Sequence, residues 1–334
     1  MTSSATASSL ASLGGSQVMV TRLGFGSALL GGLFAPMDDE SAAAVLAAVW
    51  DSGSRYIDTA PHYGVGLAEE RVGTFLATRP REEYVLSTKV GRLLVPRRDP
   101  GRPGGGDCVE GFYGTPARDR VRDYSRGGVL RALSDSLERL KLDRVDVLYI
   151  HDPDDYWQQA VEEAYPTLAD LRSQGVVGAI GVGMNQAAML ARFVRETDLD
   201  CVLVAGRYTL LDQQAATELL PLCLQRGVAV VVGGVFNSGV LADPSPVRTY
   251  DYGPVPVDVL ARALRLQEVC ARHGTALAAA ALQFPLRHPA VVSVLAGART
   301  PEEASANAAL LETRLPDALW AEIDAELDPD GSQS

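Results

Sequence analysis

"RYIDTAPHYGVGLAEERVGTFLATRPREEYVLSTKV", residues 55–90, holds one full period of the pattern that organises this chain. Two short β-rich runs, "RYIDTA" and "YVLSTKV", flank "LAEERVGTFLA", whose apolar residues recur at helical spacing. The stretch therefore reads strand, helix, strand. Working outward, the same alternation places further strands at residues 24–32, 146–152, 179–184, 201–208, 229–236 and 291–297, with helix-like stretches between them, several ending at glycine as helix C-caps do. Eight strands, each followed by a helix, predict an α/β chain folded as a (β/α)8 TIM barrel with one packed core. A doubly wound sheet would place G-x-G-x-x-G after its first strand, and here Gly24 and Gly26 are followed by Leu29.

The 334 residues carry a net charge of −12, which argues against a phosphate-backbone partner, because nucleic-acid binding draws on Lys and Arg. No apolar run approaches the roughly 20 residues that span a bilayer. Residues 1–17 are rich in Ser and Ala without the features of a signal peptide and read as a disordered leader, leaving 18–334 as a single barrel domain. Four cysteines without C-x-x-C spacing suggest neither a disulfide framework nor a zinc site, and the cytoplasm is the expected location. Residues 92–125 interrupt the rhythm between the third strand and its helix. A connection of that length is expected to be a functional insertion or lid over the C-terminal mouth, where barrel active sites are built.

At the strand ends facing that mouth stand Asp58, Lys89 and His151, with Tyr63 in the loop after Asp58. Each has an ordinary reading: a turn cap, a snorkelling lysine, a core histidine, a packing aromatic. Four such residues on neighbouring strands make one site the better account. A phenol titrates near 10, and burial raises it further, so acid/base work near neutrality calls for a cation to pull it down. Lys89 supplies that charge, Asp58 holds the lysine, and His151 hydrogen-bonds a substrate oxygen. Such a site moves protons at a carbonyl or alcohol, while hydride must come from a bound cofactor. Beside it, Tyr113, Phe112 and Trp157 are candidates to stack on a sugar face, and Asp152, Asp154 and Asp155 to bind hydroxyls. No metal is expected, since His62, His151, His273 and His288 are scattered.

The residues that carry these readings, "YIDTAPHYG" with "AEERVG", then "STKVG", "SLERLKLDRVDVLYIHDPD", "GVGMN" and "AGARTPEEASANAAL", are similar to the aldo-keto reductase superfamily over about residues 18–327. With "AGRYTLLDQ" and "FNSGVL", the chain more closely resembles the branch holding L-fucose (D-threo-aldose 1-), galactose and pyridoxal 4-dehydrogenases. The resemblance implies a nicotinamide dinucleotide, NAD(P), lying across the mouth, with Asp58, Tyr63, Lys89 and His151 as catalytic tetrad and a small sugar or aldehyde as substrate. It carries the cofactor contacts to Asn185, to Phe236, Asn237, Ser238 and Gly239, and to Gly297, Arg299, Glu303 and Asn307. Ala205 stands where many relatives have a carboxamide-gripping glutamine. Gly297 and Glu303 stand where NADP-preferring relatives have Lys or Arg, which favours NAD slightly, with Arg299 left as a possible phosphate grip. Barrels of this superfamily also serve as cofactor-sensing channel subunits, a binding role that the intact tetrad disfavours.

Overall fold

The computed structural model describes residues 6–97, 108–109, 111–251 and 253–327. Its centre is a closed barrel of parallel strands in chain order: β1 (Leu23–Gly26), β2 (Tyr56–Asp58), β3 (Val85–Val90), β4 (Val147–His151), β5 (Ala179–Met184), β6 (Cys201–Ala205), β7 (Ala229–Gly233) and β8 (Val291–Ala296), with β8 pairing back to β1. A helix follows every strand, from α1 (Asp39–Asp51) and α2 (Leu67–Leu76) to the helix at Pro301–Glu312. Alternate residues of each strand point to opposite faces. Outward residues such as Ile57, Leu86, Leu148 and Val182 join the helices in the main core. Tyr56, Val147, Tyr149, Ala179, Cys201, Leu203, Val231 and Leu295 form a second cluster inside the barrel. Two glycines admit the two tyrosines: a Cβ at Gly24 would lie 2.9 Å from the Tyr56 ring, and one at Gly181 2.8 Å from the Tyr149 ring.

The first strand is shorter than the sequence suggests. It ends at Gly26, and Ser27–Gly31 turns into a 3-10 helix, because Gly31 must pass against the backbone of Tyr63 and Gly64. Nor is the leader wholly without structure. Leu10–Ser12 pairs antiparallel with Met19–Thr21, and the loop between them buries Leu13 among the residues of the inner cluster. Three-residue strands with polar neighbours carry too little periodicity to announce themselves. Residues 1–5 lie outside the described part. The 92–125 insertion begins and ends as an antiparallel ribbon, Arg92–Pro96 against Arg118–Arg122, and Phe112–Tyr113 folds back to the loop after β1. Residues 98–107 and 110 of it are outside the described residues.

Candidate active site

Asp58, Lys89 and His151 all occupy the inward phase of their strands at the C-terminal end, which brings three side chains from β2, β3 and β4 into one lumen. Tyr63 reaches the same point from the turn after β2. That turn needs Gly64, at φ 63°, where a Cβ would meet the Gly31 carbonyl oxygen at 2.3 Å. Lys89 is 1 % exposed, and its ammonium donates to Asp58 Oδ2 at 2.6 Å, to the Thr59 carbonyl at 2.9 Å and to Tyr63 Oη at 3.1 Å. Three protons meet three acceptors, so the lysine is both saturated and fixed.

Below it the polar column continues. Ser87 Oγ donates to Asp58 Oδ1 at 2.7 Å and lies 3.3 Å from the Tyr56 hydroxyl, which is 3.1 Å from that of Tyr149, itself 3.5 Å from Cys201 Sγ. All of these residues are buried, and a satisfied network in low dielectric holds its members rigidly.

Burial pushes Lys89 down, but Asp58 and the phenol together outweigh it and hold the ammonium above its ordinary range. Burial pushes the Tyr63 hydroxyl up to about 12, with Lys89 opposing and Asp58 adding to the rise. Lys89 thus acts in the expected direction without bringing the phenol below its ordinary value, because desolvation of a fully buried ring is the larger effect. His151 is driven well below its usual range, first by burial and then by Arg92 and Lys89, so near neutral pH its imidazole is uncharged. Its ring lies 6.0 Å from that of Tyr63. His62, 5.7 Å from the His151 ring, falls to about 2 for the same reasons.

Next to these groups, against His62 and Asp152 that adjoin Tyr63 and His151 in sequence, opens a cavity of about 870 Å³ whose lining also includes Arg92, Arg120, Arg122 and Asn185. Asp154 and Asp155 lie on its wall, and Asp154 accepts a hydrogen bond from Gln186. Phe112 is stacked at 6.4 Å from the Tyr63 ring, whereas the adjacent Tyr113 ties the insertion to β1 by donating its N–H to the Gly32 carbonyl. Trp157 departs from the expected sugar platform. It packs 4.4 Å from the Phe193 ring with the Arg192 guanidinium 3.7 Å above it, because it opens the helix after β4 and faces the helix Ala187–Glu196. Nothing in the sequence marks the three arginines, since the insertion has no periodicity that says which of its charges point inward.

Asn185, at the end of β5, lines the cavity while its carbonyl accepts from Arg207 Nε at 3.0 Å. After β7, Asn237, Ser238 and Gly239 are all left-handed, at φ 45°, 57° and 93°, and the buried Asn237 Oδ1 has no protein partner. Phe236 packs against the core. After β8, Gly297 accepts from Asn307 Nδ2 at 3.1 Å. Two carboxamides on the rim, one of them with an orphaned buried oxygen, and a strained turn between strand and helix suit a ligand with amide and phosphate groups. The Arg299 guanidinium turns to the loop after β1, with Nη1 donating to the Leu33 carbonyl and Nη2 to those of Ala35 and Pro36. Thr300 caps the helix, its Oγ1 accepting the Glu303 N–H at 3.2 Å, while Glu303 Oε2 accepts the N–H of the preceding Arg299 at 2.6 Å.

A closed barrel with a buried lysine, a phenol on that lysine and a neutral imidazole at its C-terminal mouth defines an enzyme of carbonyl and carbinol chemistry. The chain belongs to the aldo/keto reductase family, whose model matches residues 22–328. Proteins of this family work with nicotinamide dinucleotides. The chain is 46 % identical to a D-threo-aldose 1-dehydrogenase of a Pseudomonas species, over 91 % of this chain and 93 % of that protein. It is 41 % identical to the pyridoxal 4-dehydrogenase of Microbacterium luteolum, over 96 % and 98 %. Among solved structures, an aldo-keto reductase of Bacillus halodurans in its holo form superposes with a TM-score of 0.74 at 26 % identity, over 95 % of each chain. Among the described residues no helix is long and apolar enough to cross a membrane, and no group of three acidic, His or Cys side chains could hold a metal.

Proposed function

We propose that this chain is an NAD-dependent aldose dehydrogenase that oxidises the lactol carbon of a free sugar to a lactone. The observation that carries the reading is the saturated Lys89, which fixes the Tyr63 hydroxyl beside the neutral His151, next to a cavity walled by Arg and Asp. His151 positions the anomeric oxygen. Tyr63 takes the proton of the anomeric hydroxyl, Lys89 stabilises the phenolate that makes this possible, and Asp58 keeps Lys89 charged. The C1–O bond gains double-bond character as the hydride leaves C1. A nicotinamide dinucleotide would accept the hydride there, and Asn185, Phe236, Asn237, Ser238, Gly239, Gly297 and Asn307 would hold it.

NAD is preferred over NADP because Arg299 is engaged with the carbonyls of Leu33, Ala35 and Pro36 and the Glu303 carboxylate stands at the helix N-terminus, where it repels a 2′-phosphate. Pyridoxal is the second candidate substrate, supported by the 41 % identical relative. Three buried free thiols suit a reducing compartment, and we place the protein in the cytoplasm. Absorbance of reduced nicotinamide tests the reading, with NAD or NADP against L-fucose, D-arabinose, L- and D-galactose and pyridoxal at alkaline pH. Reduction of NAD by one of the sugars is expected. Turnover of pyridoxal alone, or of no compound, overturns it.

A further inference from the structure

The site holds an ion pair that the proton chemistry does not use. Arg92 is 7 % exposed and reaches the cavity wall from the first residue of the insertion; its Nη2 lies 2.6 Å from Asp152 Oδ2. Its Nε is buried and has no partner. Asp152 follows His151 at φ 41°, a left-handed conformation that turns the carboxylate back toward the imidazole, so that Oδ2 sits 3.4 Å from His151 Nε2. Three hydrogen bonds pin its backbone: the Asp152 N–H donates to the Gly183 carbonyl, and its carbonyl accepts from Tyr124 Oη at 2.7 Å and Arg122 Nη1 at 3.2 Å. Strained backbone held this firmly, next to a reacting group, is where function concentrates.

We propose that Arg92 and Asp152 form a clamp for the hydroxyl on the carbon next to the one that gives up hydride, so that the enzyme selects α-hydroxylated lactols and aldehydes. The inference rests on the function proposed above and names the feature of the sugar that is read. Vicinal oxygens on a sugar are about one hydrogen-bond length apart, close to the separation between His151 Nε2 and Asp152 Oδ2. A substrate whose reacting oxygen rests on His151 therefore brings its neighbouring hydroxyl onto the pair. A hydroxyl donates once and accepts twice. Asp152 takes its proton and Arg92 donates to its oxygen, which satisfies all partners. An analogue without that hydroxyl leaves the Arg92–Asp152 pair facing carbon, and the enzyme discriminates against it.

The test compares kcat/KM for L-fucose and 2-deoxy-L-fucose in the wild type, Arg92→Gln and Asp152→Asn; asparagine tolerates the left-handed backbone. The wild type is expected to prefer L-fucose by at least about a hundredfold, and both variants to bring the ratio below about ten, chiefly through loss of activity on the hydroxylated sugar. A merely structural role would lower both substrates together and leave the ratio in place, which overturns the proposal, as does a wild-type ratio near one. If no sugar is oxidised, the function proposed above fails by itself. The same comparison then runs in reduction with glyceraldehyde against 3-hydroxypropanal, where equal rates, or none with either, overturn the clamp as well.

Discussion

Replacing Lys89 with methionine removes one charge and leaves the shape of the barrel almost unchanged. The Nζ atom is 3.1 Å from Tyr63 Oη, and at an effective dielectric of about 20 a unit charge at that distance stabilises a phenolate by about 5 kcal/mol. At 1.36 kcal/mol per pKa unit, that is a rise of about four units. The Tyr63 hydroxyl, already pushed up to about 12 by burial, then ceases to ionise in the workable range. A base of higher pKa is also stronger, and with a Brønsted slope of about one half it recovers about half of the loss, leaving a decrease of about a hundredfold. The assay is kcat for sugar oxidation from about pH 6 to pH 10. The rising alkaline limb of the variant should move to higher pH than that of the wild type. Superimposable profiles with kcat values within threefold would refute the assignment of Lys89 as the group that tunes the phenol.

Tyr63→Phe removes only the hydroxyl that exchanges the proton; turnover should fall by at least about a thousandfold while fluorescence titration shows dinucleotide affinity within threefold of wild type. Glu69, fully buried beneath β3, accepts from Thr88 Oγ1 at 2.8 Å and Arg139 Nε at 2.6 Å. Glu69→Ala leaves a largely buried guanidinium without its counter-charge and should cost about 3 kcal/mol in urea unfolding, against a value under 1 if the pair is inconsequential. His62 and His151 are both held uncharged in the folded protein, below their ordinary values. Unfolded, each takes up a proton below about pH 6.5, so their contribution to stability is full above that pH and is lost as pH falls, by about 1.4 kcal/mol per group per pH unit. Unfolding free energy that stays flat between about pH 6 and pH 5 would contradict the buried neutral pair.

The alternation of β-rich and helix-like runs made the barrel legible because buried parallel strands bounded by turn residues leave a strong local trace. Asp58, Lys89 and His151 stood out because polar side chains close otherwise apolar strands. What the chain does with Trp157 and Arg299 was not legible, since each is decided by contacts between segments distant in sequence: a helix neighbour for the tryptophan, the carbonyls of the β1 loop for the arginine. Arg92 shows the same limit from the other side. It begins an insertion whose composition resembles an open polar loop, and only the pairing of residues 92–96 with 118–122 turns it inward.

The hairpin at Leu10–Thr21 also bears on the order in which the barrel is assembled. It leads straight into the seam where β8 meets β1: Arg22 Nη1 donates to the carbonyls of Val291 and Val292, Ser293 Oγ donates to the Thr21 carbonyl, and the Val294 N–H donates to the Arg22 carbonyl. This segment therefore finds these partners about 270 residues further along the chain. Until β8 is in place the hairpin lacks these partners, although the Thr21 hydroxyl already accepts from the N–H groups of Arg55 and Tyr56, and the cylinder stays an open sheet. Contacts so distant in sequence form late, so the hairpin and the β8–β1 seam close together at the end of folding.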